Sequence, residues 1–154
     1  MDIENYNKTI ESITKEAAEL SFKLDDSASD LKIDGKNLEL CCVQHASLLA
    51  YYDEIQVRLK YNLNRLKMFE LKMRGELYVH CKETFKKEYT DTAIKMVIDS
   101  NPNYVKLRET VLMVEEIYDK AVSVVESFKT RSFDLRNIIA IREAELENII
   151  IRAG

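Results

Sequence analysis

LELCCVQHASLLAYYDEIQVRLKYNLNRLKMFELKMR, residues 38–74, decides the fold. Its seam positions run Leu38, Cys41, His45, Leu48, Tyr52, Ile55, Leu59, Asn62, Leu66, Phe69 and Met73, three and four residues apart in alternation. That spacing belongs to an amphipathic helix packing on other helices through a narrow heptad seam. Asn37 stands where an N-cap residue belongs. A helix from 38 into the mid-80s is roughly 70 Å long and cannot bury such a seam alone. Gly75 costs about 1 kcal/mol relative to Ala inside a helix and marks a place for a kink or break.

The flanking segments repeat the pattern. Ile3, Tyr6, Ile10, Ile13, Ala17, Leu20 and Leu24 form a first seam. Residues 25–36, DDSASDLKIDGK, lose the period and read as a loop or linker. DTAIKMVIDS (91–100) reads as a short helix. Asn101-Pro102 then restarts the chain, a capping residue followed by proline in the first helical turn. The last seam is Tyr104, Leu107, Val111, Val114, Tyr118, Ala121, Val125, Phe128, Ser132, Leu135, Ile139, Arg142, Leu146 and Ile149. Ile117, Val124 and Ile138 widen it on one flank. The expected fold class is all-α: long helices with heptad seams in a bundle. The seams exceed what one thin chain covers, which favours a homo-oligomer.

The totals agree. Of 154 residues 46% are hydrophobic, enough for a core, and 32% are charged, a level common in long helices. Three Gly and one Pro leave little room for turns, which argues against a β-rich or Rossmann-like fold. The three Cys, an odd number, fit a reducing compartment. No apolar run approaches a membrane span and no signal-peptide core is visible, so the expected setting is the cytoplasm, of a bacterium or an infected cell.

The net charge of −4 conceals an asymmetry: −5 over residues 1–40, +3 over 41–98 and −2 over 99–154. Residues 55–75 hold six bases and one acid, Glu70. Arg58, Arg65 and Lys72 are spaced by seven, as are Lys60, Lys67 and Arg74, so the helix carries two basic stripes, one on each side of its seam. The plain interpretation is a pair of solvated flanks matched by acids on a neighbouring helix. The stripes lack interleaved acids, however, and Tyr61 and Phe69 lie close enough to offer ring faces to unpaired bases. Six cations over about 24 Å suit a run of phosphates better than a small anion. If all six touched phosphates of a single strand, log K would fall with log salt at a slope near −4 per protomer. Lys129, Arg131 and Arg136 around Phe133 form a smaller, secondary basic cluster, expected on an exposed face.

Other chemistries find less support. Cys41 and His45 share a face and His80-Cys81 follows, but no CxxC or HxxxH completes a zinc set; as seam positions they are ordinary core residues. Walker, GxSxG, HExxH and Glu-x-x-His motifs do not occur, so no enzyme and no cofactor is expected. A membrane-surface helix would need a wider apolar face.

Four stretches resemble a known family. LKMRGELY (71–78), VIDSNPNYVKL (97–107) and SVVESFKTRSFDLRNIIAIREAE (123–145) are similar to the UvsY-type recombination mediators of large tailed phages, and IDGKNL (33–38) resembles that family's entry into its long helix. The likeness covers about residues 31–147. It implies a protein that binds single-stranded DNA, assembles into ring-shaped homo-oligomers (heptamers in the best-known case), and loads the phage recombinase onto strands covered by single-strand-binding protein in the infected bacterial host. The family's DNA-binding positions carry over to Lys72 and Arg74 only. Residues 1–24, an additional heptad helix, have no clear counterpart in the family, and the chain is more acidic than the family pattern. The expected organisation is thus an N-terminal helix (1–24), a linker (25–37) and a helical domain for DNA binding and oligomerisation (38–154). The competing expectation is a structural or assembly-chaperone coiled coil of a phage, its stripes paired with an acidic partner helix.

Overall fold

The computed structural model describes residues 3–33, 36–84 and 89–152, with the backbone alone at 3–6 and 146–152. No strand occurs among the described residues. The helices are α1 (Ile3–Asp25), α2 (Ser27–Leu31), α3 (Leu38–Thr84), α4 (Asp91–Asp99) and α5 (Pro102–Arg152). The expected all-α class holds.

The helix starts follow the capping residues. The Asn37 side-chain oxygen accepts from the Leu40 N–H at 3.2 Å at the head of α3. Thr90 accepts from the Ala93 N–H at 3.2 Å at the head of α4. Asn101 accepts from the N–H groups of Asn103 and Tyr104 at 3.0 and 3.2 Å, with Pro102 in the first position of α5. One expectation fails. Residues 27–31 form a helical turn, not a loop: the N–H groups of Ser29 and Asp30 donate to the Asp26 carbonyl at 3.0 and 3.2 Å. Five residues span less than two turns, too few for a periodic signal. The expected helix from 38 into the mid-80s is α3 (Leu38–Thr84), with Gly75 inside it; the cost of one helical glycine is small beside 47 residues of helix.

The chain divides into two compact units, one of residues 1–21 and 57–119, the other of 22–56 and 120–154; α1, α3 and α5 contribute to both. In the first unit Ile13, Ala17 and Leu20 of α1, Leu59, Leu63 and Leu66 of α3, and Leu107, Val111 and Val114 of α5 are buried. Cys81, Ile94, Ile98 and Tyr104 cluster there, with Met73, Leu77 and Tyr78 packed against them. Asp91, at the start of α4, accepts from the Tyr78 hydroxyl at 3.0 Å and pairs with Lys82 at 2.7 Å. In the second unit the Tyr52 and Phe128 rings stack, centroids 4.9 Å apart. The Tyr52 hydroxyl donates to Asp30 at 2.8 Å, and burial together with that carboxylate pushes the phenol well above its ordinary pKa. Leu24, Cys41, Ile55, Ala121, Val125 and Leu135 are buried in the same unit. Most of these positions lie on the expected seams. Ile3, Tyr6, Leu146 and Ile149 lie outside the described side chains.

Candidate nucleic-acid interface

Seven residues nearly complete two helical turns, so Arg58, Arg65 and Lys72 form one row along α3 and Lys60, Lys67 and Arg74 another. Both rows fall within the first unit. Five of the six side chains are exposed and Arg65 is half-buried.

The six are not electrostatically equal. Glu16 of α1 accepts from Arg58 Nε and Nη2 at 3.1 and 2.5 Å. Its other oxygen accepts from the buried Asn62 amide at 3.0 Å, which gives the polar seam residue its partner. The Asn62 hydrogen bond, aided by Arg58, holds the Glu16 carboxyl below its usual pKa, so it stays charged. Lys67 pairs with Glu115 of α5 at 2.6 Å. Lys72 lies 3.8 Å from Glu76, one turn along α3. Arg65 sits over the Tyr61 ring, 5.6 Å from its centroid. Among the described residues no carboxylate lies within ion-pair distance of Lys60, Arg65 or Arg74. Glu70, the one acid of residues 55–75, is drawn toward α5: the Tyr104 hydroxyl donates to it at 3.1 Å and Arg108 lies at 3.8 Å. The plain interpretation of the stripes therefore accounts for Arg58 and Lys67 as cross-helix ion pairs within the chain.

The rows border two apolar strips, one on each side of α3. The inner strip is the buried seam of Leu59, Leu63 and Leu66. The outer strip is Val57, Tyr61, Met68 and Leu71, which are 59%, 63%, 69% and 74% exposed. Sequence reading missed this strip. Its signal was present: residues 57, 61, 64, 68 and 71 repeat the three-four spacing on the opposite face, with Asn64 as the polar member. Of the two aromatics expected beside the cations, Tyr61 presents its ring to solvent, whereas Phe69 is half-buried.

The secondary cluster needs correction. In the second unit Lys129 and Arg136 are exposed, Lys129 paired with Glu126 at 2.6 Å and Arg136 over the Phe133 ring at 5.1 Å. Arg131 is 4% exposed. Its Nε donates to the Leu31 carbonyl at the end of α2 (3.1 Å), and one terminal nitrogen lies 3.0 Å from His45 Nδ1. Arginine has no acceptor, so His45 accepts through Nδ1 and is neutral in this arrangement. Burial, then the Arg131 charge, lowers the His45 pKa. Arg131 is an internal strut, not part of a surface cluster. The clue was available: 117, 124, 131 and 138 form one seven-residue row, and its other members are the apolar flank of the seam.

Cys41 is buried and His45 faces Arg131; among the described residues no three His, Cys, Asp or Glu side chains gather as a metal site. Nor is any described helix long and apolar enough to cross a membrane. In comparison with known protein families, the family model described as "UvsY: Recombination, repair and ssDNA binding protein UvsY" matches residues 26–148. No curated protein and no solved structure matches the chain.

Proposed function

The chain belongs to the UvsY family of recombination, repair and single-stranded-DNA-binding proteins, and from that premise we propose that it is a non-enzymatic recombination mediator. It binds a single strand through the outward face of α3 and helps load a recombinase onto strands covered by single-strand-binding protein, in the cytoplasm of a phage-infected bacterium. The observation that carries this reading is the double row of six cations on α3, with one acid in the same stretch. Association of several copies, as a ring-shaped homo-oligomer, presents the rows repeatedly to one strand, so weak contacts add through effective concentration. The acidic ends of the chain, net −5 over 1–40 and −2 over 99–154, are the surfaces offered to protein partners.

The ion pairs revise the expected salt dependence. A phosphate has to displace Glu16 from Arg58 and Glu115 from Lys67, whereas among the described residues no carboxylate ion-pairs with Lys60, Arg65 or Arg74, and Lys72, a fourth cation, lies 3.8 Å from Glu76 of its own helix. Three to four phosphate contacts correspond to a slope of about −2 to −3 per protomer, shallower than −4. The test is salt-dependent binding of labelled single-stranded DNA by the wild type and by Lys72→Ala/Arg74→Ala. The expected result is a slope flatter by about 1.4 and an affinity lower by about tenfold at moderate salt. Unchanged slope and affinity in the double variant remove the site assignment. The Arg58–Glu16 and Lys67–Glu115 pairs also support the second reading, a structural coiled coil; wild-type protein that binds no single strand even at high micromolar concentration favours it.

A further inference from the structure

We propose that Val57, Tyr61, Met68 and Leu71 form a base-contacting strip that makes the α3 site selective for unpaired bases. This inference rests on the single-strand reading above and adds to it the residues that tell a single strand from a duplex. The four side chains are all more than half exposed and follow one another at four, seven and three residues, so they line up along one face of α3. Single exposed apolar residues are ordinary, but four on one face, with Asn64 as the polar member between Tyr61 and Met68, make a strip suited to a contact. Arg58, Arg65 and Lys72 run along one side of it, Lys60, Lys67 and Arg74 along the other.

That bracket selects the occupant by chemistry. It takes something flat and apolar in the middle and anionic at the edge. A second copy docking by the same face would set cation rows against cation rows, the repulsive arrangement that coiled coils use to reject a partner. A duplex meets the cations but keeps its base faces stacked inside, so the apolar strip stays wetted. A single strand satisfies both: phosphates follow a basic row while splayed bases lie across the strip. Tyr61 supplies a ring face already steadied by Arg65, 5.6 Å from its centroid, and Met68 supplies a polarizable thioether suited to aromatic contact. Every base has such a face, so the strip favours unpaired over paired bases without reading sequence.

The experiment measures binding by the full chain of a labelled oligothymidylate, the same strand with abasic sugars, and a duplex of matched length, each across a salt series. The abasic strand keeps the phosphates and removes the bases. Wild type is expected to prefer the oligothymidylate over the abasic strand by roughly tenfold or more, the scale of one or two stacked bases. In Tyr61→Ser/Met68→Ser/Leu71→Ser that preference collapses, while the salt slope stays at the wild-type value because the phosphate contacts are untouched. Tyr61→Phe, which keeps the ring, retains the preference, and Tyr61→Ser alone loses part of it. Equal wild-type affinity for the base-bearing and abasic strands overturns the inference, as does a triple variant that keeps the wild-type preference. A triple variant whose native mass falls overturns it too, because the strip then belongs to a contact between copies or to the fold. Absence of wild-type binding to every strand is a different failure, that of the proposed function itself.

Discussion

The cations at 58–74 of α3 and the arginine at 131 of α5 show two uses of positive charge. On α3 the guanidinium and ammonium groups stand at the sides of the helix with their heads in water, and two of them meet carboxylates across a partly solvated gap: Arg58–Glu16 with side chains 50% and 33% exposed, Lys67–Glu115 with 47% and 38%. Pairs of that kind contribute little, about 0–1 kcal/mol, and leave the cation exchangeable. Arg131 is 4% exposed, its donors committed to a backbone carbonyl and a histidine ring. A charge in that position cannot be released to a ligand without opening the unit, so it serves the fold. Exposure, more than local charge density, separates a cation available to a ligand from one committed to the fold.

The sharpest way to break this contrast is Arg131→Ala. It leaves the Leu31 carbonyl and His45 Nδ1 without their donor. The expected loss is about 3 kcal/mol of unfolding free energy, whereas Lys67→Ala is expected to move stability by less than about 0.5 kcal/mol. Urea titrations of both variants decide it; similar midpoints would show that Arg131 is as dispensable as a surface lysine.

A smaller effect is expected from pH. Burial and Arg131 lower the His45 pKa in the folded chain below the ordinary histidine value of 6.5. The unfolded chain then binds the extra proton first, so this contribution to stability is complete above pH 6.5 and is lost as pH falls from 6.5 toward the depressed folded value. Urea midpoints should decline over that interval, and the decline should flatten in His45→Gln, which keeps an amide acceptor toward Arg131. A pH-independent wild type would remove His45 from the account.

Gly75→Ala is the mildest test. An added Cβ meets nothing within 4 Å, so the substitution is expected to stabilise the chain by about 0.5–1 kcal/mol through helix propensity, read as a rise in thermal midpoint, with DNA affinity unchanged. A loss of DNA affinity would instead mean that the neighbouring Lys72 and Arg74 depend on a deformation at Gly75.

Much of this was legible before any coordinates. Leu59, Leu66, Val114 and Phe128 are fully buried on the rows where the three-four spacing puts them, and Asn37 and Asn101 cap the helices they precede. Periodicity and caps are local properties, and the chain states them outright. The two basic rows were legible for the same reason. What escaped was of two kinds. The Ser27–Leu31 turn is too short to repeat, and the outer strip of α3 was overlooked because the inner seam had already claimed the helical period.

Sequence by itself determined the all-helical class, the placement of the long helices, the spacing of the cations and, through residues 26–148, membership of a single-stranded-DNA-binding family. Tertiary structure decided which charges are spoken for: Glu16 comes to Arg58 and Asn62 across 42 and 46 residues of chain, Glu115 to Lys67 across 48, and Leu31 to Arg131 across 100. Helical phase is written in neighbours a few residues apart, whereas the partner of a side chain depends on which distant segment packs against it, and only the folded chain fixes that.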